Sequence, residues 1–134
     1  WVDYDGKRER LADYEKLTNG VKGFAKECLH VSYRGGVLHE DVHKAKDTRT
    51  QAQKDAILKE ILEMTLWLDE NGNDMQDVMI VGHYHFSDDK NKNGAIESWE
   101  RIKECPSFDA YTEYRLFMDS VNKNYNKLKL PKNR

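Results

Sequence analysis

The sequence has little to cross-link it and no apolar run long enough to span a bilayer. It holds 2 cysteines, Cys28 and Cys105, so no more than one disulfide can form. One disulfide, two thiols, or a thiol that ligates metal all remain open. No apolar run approaches the roughly 20 residues that a membrane span needs. Positive charge is not in excess either. The 22 Lys and Arg stand against 24 Asp and Glu, and the net charge of −2 lacks the footprint of a nucleic-acid binder. Only the stretch from Lys123 to Arg134 is locally basic. No initiating Met and no signal peptide stand at the start, and Trp1-Val2-Asp3-Tyr4 reads at once as a strand.

Aromatic residues are plentiful. Charged residues reach 34% and mean hydropathy is −0.92, yet 3 Trp, 7 Tyr and 4 Phe point to a packed core rather than disorder. The length of 134 residues suits one domain.

Periodicity then divides the chain. Trp1 to Tyr4 is followed by the turn signal Asp5-Gly6. Lys7 to Tyr14 is a second strand or a loop. Asn19-Gly20 marks another turn. Cys28 to Tyr33 alternates, with Leu29, Val31 and Tyr33 on one face, and Gly35-Gly36 ends it. Thr50 and Gln53 form a capping-box pattern before a helix over Gln51 to Glu70, and Asn71-Gly72-Asn73 stops that helix. Val78 to Val81 reads as a buried strand. Ser107 is placed to cap a final helix carrying Tyr111, Tyr114, Phe117 and Met118. Strands interleaved with helices imply an α/β domain with a central mixed β-sheet flanked by helices.

Two residues attract attention as metal donors. Gly82-His83 ends a strand, where sites gather in open α/β sheets. Cys105 precedes the final helix, whose N-terminus favours thiolate. Imidazole and thiolate suit zinc, and a catalytic zinc uses three protein ligands with one position left for water. On spacing alone, a histidine and a cysteine so far apart serve structure more often than metal.

Five pieces of sequence sharpen this reading. They are Thr18 to Gly23, Leu29 to Gly36, Asp47 to Gln53, Ile80 to His83, and Lys103-Glu104-Cys105-Pro106-Ser107-Phe108-Asp109. In this order and spacing they resemble the N-acetylmuramoyl-L-alanine amidase family of phage lysozyme-type amidases and peptidoglycan recognition proteins, in a form similar to that of Bacteroidetes and their phages. The resemblance implies zinc ligands at His83 and Cys105, and Lys103 as the catalytic cation that stabilises an oxyanion. It implies peptidoglycan as partner, and an extracellular, periplasmic or cell-wall location. It also implies that residues 1–134 form a single amidase-like domain lacking its N-terminal part. A first zinc histidine and a catalytic tyrosine of the family would fall upstream of Trp1, on a missing segment or chain. The family's Gly-His-Arg-Asp is here Gly82-His83-Tyr84-His85, so His85 is either a substitute ligand or a residue with its own local hydrogen bonds.

A second cation site is written into Asp89 to Glu100. Asp89, Asn91 and Asn93 occupy positions 1, 3 and 5 of a twelve-residue calcium loop. Gly94 takes the tight turn, Ala95 offers its carbonyl, and Glu100 sits at the bidentate position. Only Asp89 and Glu100 among these are charged, and Lys90 and Lys92 oppose a cation, so the other reading is an Asn/Gly loop held by its own hydrogen bonds. His30 either lines a substrate groove or is a satisfied sheet histidine. Trp67 and Trp99 read as packing residues, Glu60, Glu63 and Glu70 as a solvated face, and Cys28 as a buried thiol.

The function expected is zinc-dependent hydrolysis of the amide between N-acetylmuramic acid and L-alanine. The alternatives are a non-catalytic peptidoglycan-binding protein of the same fold, and a calcium-dependent interaction module.

Overall fold

A computed structural model describes residues 1–15, 28–101 and 103–128, with side chains through Ser120. The Thr18 to Gly23 piece and the turn at Asn19-Gly20 lie outside the described residues.

Helix α1 spans Gln51–Glu70, the range its periodicity gives. Its start is fixed twice over. The Gln53 amide donates to Thr50 Oγ1 at 3.1 Å, and the Thr50 amide donates to Gln53 Oε1 at 3.0 Å. Both groups would otherwise be orphans of the first turn. Gln53, Ala56, Ile57, Ile61 and Thr65 form the buried stripe. Asn71 ends the helix, its side chain donating to the Trp67 carbonyl at 2.8 Å.

Helix α2 spans Ala110–Leu128 and buries Ala110, Tyr114 and Met118, one residue per turn. Its cap differs from expectation. Asp109 accepts from the Thr112 amide at 3.1 Å and from the Thr112 hydroxyl at 2.6 Å. Ser107 instead adopts φ 71° and donates its hydroxyl to the Gly36 carbonyl at 2.6 Å.

The central mixed sheet is not there. Among the described residues no β-strand forms; Val2 bridges singly to Arg8 and to Tyr33, and Val37 to Ala45. Trp1 to Tyr4 does run between two partners. The Val2 amide donates to the Ser32 carbonyl at 2.9 Å, and the Glu9 amide donates to the Trp1 carbonyl at 2.8 Å. Each pairing stops where a turn diverts the backbone. Gly6 has φ 84°, and Gly35 and Gly36 have φ 119° and 88°, so neither neighbour continues as a ladder. Val78 to Val81 forms no ladder with any described residue, and Met79 is 70% exposed. The described residues therefore build two α-helices and a shell of turns, not an α/β sheet.

Val2 holds this shell to the helices. It is fully buried against Ala56, Ile57 and Ile61 of α1 and Ala110 and Tyr114 of α2, with Val31, Tyr33, Ile80, Phe108 and Phe117 packed around them. A buried Val or Ile contributes about 1.5–3 kcal/mol, so this cluster outweighs the isolated bridges in fixing the fold. Met75, in a short 3-10 turn over Met75–Asp77, is 1% exposed and lies near both helices.

Candidate functional site

His83 opens a 3-10 turn, His83–Phe86, rather than closing a strand at a sheet edge. The turn is positioned by what Gly82 allows. A Cβ on Gly82 would stand 2.5 Å from Pro106 Cδ, so the backbone before His83 lies directly on the Cys105-Pro106 segment. The Tyr84 amide donates to the Cys105 carbonyl at 3.1 Å. These two contacts join the histidine turn to the cysteine loop through the main chain.

Other parts of the chain lock the same loop. Tyr33 Oη donates to the Pro106 carbonyl at 2.6 Å, and Ser107 ties the loop to Gly36. Burial, reinforced by the Asp47 carboxylate, pushes the Tyr33 hydroxyl up to about 12, which keeps it a donor. Segments around Tyr33, Gly82 and Cys105 thus meet at one place. Nothing in the spacing marks Tyr33 or Ser107 for this work; only the order of the pieces hints at it.

Next to the loop lies a buried cation. The Arg49 side chain is 1% exposed, with Nη2 2.8 Å from Asp47 Oδ2 and Nη1 2.6 Å from Glu113 Oε2. Its guanidinium carbon stands 3.3 Å from the Phe108 ring centroid. Burial opposes the charge of Arg49, but the hydrogen bonds it donates to Glu113 and Asp47 more than offset this and hold its pKa above the ordinary value. The charge thereby fixes Phe108, three residues past the cysteine, against α2.

Burial lowers the pKa of His30 first, and the electrostatic influence of His83 lowers it further. Its Nε2 is buried without a hydrogen-bond partner among the described residues. Cys105 is exposed, Cys28 is half-buried rather than buried, and the two are not joined in a disulfide. Lys103 is exposed and in no ion pair among the described residues.

His85 is committed locally. Its Nδ1 accepts from the Gly82 amide at 3.0 Å, its Nε2 lies 3.8 Å from Asp109 Oδ1, and its ring stacks on Tyr84 with centroids 4.1 Å apart. Burial lowers its pKa. These bonds suit a positioning residue better than a ligand.

The donor chemistry of His83 and Cys105 fits zinc, and the contacts of Tyr84 with Cys105 and of Gly82 with Pro106 bring their segments together. Among the described residues, however, no group of three His, Cys, Asp or Glu side chains is gathered to hold a metal. Two open surface hollows lie elsewhere. One of about 640 Å³ runs along Tyr14 and Trp67, the other of about 360 Å³ along Tyr4 and Val42, and neither is lined by His83, Lys103 or Cys105.

Two residues read as bland surface or packing are otherwise engaged. Glu60 is only 15% exposed at its side chain and pairs with Arg8 at 3.0 Å, while Tyr14 Oη donates to it at 2.8 Å. Trp99 is 60% exposed and donates Nε1 to Glu97 Oε2 at 2.8 Å. Among the described residues, no helix is long and apolar enough to cross a membrane.

No family model matches this chain, and no curated protein or solved structure matches it.

Proposed function

We propose that this chain carries a zinc amidase site acting on peptidoglycan, with His83 and Cys105 as ligands and Lys103 at the developing oxyanion. One observation carries the reading: the Tyr84 amide bonded to the Cys105 carbonyl at 3.1 Å, which ties the turn that begins at His83 to the backbone of Cys105, far away in sequence. His30, whose buried Nε2 has no hydrogen-bond partner among the described residues and which feels His83 electrostatically, is a further candidate donor.

Zinc bound there would polarise a scissile carbonyl and lower the pKa of its bound water to about 7. The protein's own residues do the rest. Tyr33, Pro106 and Ser107 hold the cysteine loop, and Asp109 caps α2 beyond it. Lys103, exposed and unpaired among the described residues, is free to approach an oxyanion. The substrate would be the lactyl amide between N-acetylmuramic acid and L-alanine, which places the work at the cell wall.

The second reading is a wall-binding protein without catalysis. It is favoured by the absence of a preassembled three-donor group among the described residues. Hydrolysis of purified peptidoglycan separates the two. Zinc-loaded protein should release new L-alanine amino termini, and Lys103→Ala should slow that release by about 10²–10³-fold while zinc is kept. Binding to the wall with no release, in zinc-loaded protein, would replace the amidase reading by the second.

A further inference from the structure

The loop from Asp89 to Glu100 is built from oxygen donors. Asp89 Oδ1 and Asn91 Oδ1 both accept from the Asn93 amide, at 3.2 and 3.1 Å, so these two oxygens turn toward the same point. Asp89 Oδ2 accepts from the Gly94 amide at 2.7 Å, and Asn93 Oδ1 from the Ala95 amide at 3.0 Å. The backbone wraps tightly. Lys92 and Gly94 have φ of 59° and 86°. A Cβ on Gly94 would meet nothing within 4 Å, so the turn asks for glycine through its dihedral and not through space.

Glu100 closes the loop. Its Oε1 accepts from the Lys90 and Asn91 amides at 2.8 and 3.3 Å, and its Oε2 from the Glu97 amide at 2.9 Å. First and last positions of the loop are thereby folded onto one another.

A separate observation points to a cation. Glu100 is 1% exposed, yet among the described residues no Lys, Arg or His pairs with it or with Asp89. Buried charges are ordinarily paired or bound to metal. Three backbone amides satisfy both oxygens of this carboxylate but bring no full positive charge, and among the described residues none pairs with it.

We propose that Asp89 to Glu100 is a calcium site. Asp89, Asn91 and Asn93 give side-chain oxygens, Ala95 gives its carbonyl and Glu100 gives its carboxylate. All donors are hard oxygens, which suits calcium and not zinc, and the flexible loop suits calcium's varied coordination better than magnesium's strict octahedron. Asp89 and Glu100 supply the only acidic ligands, which puts the affinity in the weak range, about 10⁻⁴–10⁻³ M.

The site has somewhere to send its effect. Arg101 follows Glu100, stands 4.0 Å over the Tyr84 ring and pairs with Glu104 at 3.0 Å. Ordering the loop therefore steadies the residues on either side of His83 and Cys105. Calcium binding here stands whether or not zinc binds there.

Calcium titration of the full, chelator-treated chain by calorimetry tests the proposal, with thermal melts alongside. Saturable heat in the weak range and a raised Tm at about 10 mM calcium are expected, with a smaller shift from magnesium. Glu100→Gln should weaken binding by roughly tenfold or more. Because that variant removes a buried carboxylate and can unfold, Asn93→Asp serves as the gain-of-function arm at an exposed position. An added carboxylate ligand should tighten binding by several-fold. No heat and no Tm shift at about 10 mM calcium would overturn the site, as would unchanged affinity in folded Asn93→Asp.

Discussion

The Tyr84 amide donates to the Cys105 carbonyl at 3.1 Å, so the histidine turn and the cysteine loop are tied into one unit through the main chain. Gly82 is the tightest point of that unit, because a side chain there has nowhere to go.

Gly82→Ala tests this directly. Its φ of −82° is ordinary for any residue, so the cost is steric, set by Pro106 Cδ at 2.5 Å and the Tyr84 ring at 3.2 Å. A loss of about 1–3 kcal/mol is expected in urea denaturation, as for overpacked cores generally. Metal retention should fall with it. Unchanged stability would mean that the His83 turn and Pro106 do not pack this closely.

Gln53 is the second joint. It is 0% exposed, caps α1 through Thr50 and donates Nε2 to the Arg34 carbonyl at 2.8 Å. Gln53→Ala should cost about 2 kcal/mol, since it leaves buried partners unsatisfied. Thr50→Ala should cost about 1 kcal/mol as an ordinary cap loss. The two losses should not add, because each residue satisfies the other's amide, and a double-mutant cycle measures the shortfall.

The Arg49 network sets an acid limit. Hydrogen bonds from Arg49 hold the carboxyls of Asp47 and Glu113 below their ordinary values. Their contribution is present above the ordinary carboxylate range, near about pH 4, and is lost as pH falls through it, because the unfolded chain then binds more protons. Tm should drop with acid over that window. Glu113→Gln should flatten the drop, and a Tm that rises on acidification would contradict the pairing.

How much of this was legible in the sequence depends on the range of the interactions. Helix α1 was, because Thr50, Gln53 and the Ile57–Ile61 stripe are all local. The sheet was misread for the converse reason. Alternation at Leu29, Val31 and Tyr33 describes a face, not a partner, and the glycines at 35 and 36 turn the backbone after one bridge. Ser107 looked like a cap for α2 from its position, but Asp109 takes that place while Ser107 reaches across to Gly36. The turn of His83 and the loop of Cys105 could be linked only through the ordered resemblance, since what joins them is a main-chain bond from Tyr84 to Cys105 that no side-chain pattern records.

Metal content is the most direct test of the central proposal. The full chain, purified without chelator, would be assayed for zinc by elemental analysis beside Cys105→Ser, His83→Ala and His30→Ala. Near-stoichiometric zinc in the native chain, lost in the first two variants, is the expected result, and loss in His30→Ala as well would make His30 the third donor. Zinc absent from the native chain, or undiminished when Cys105 and His83 are replaced, would contradict a zinc amidase site at this turn.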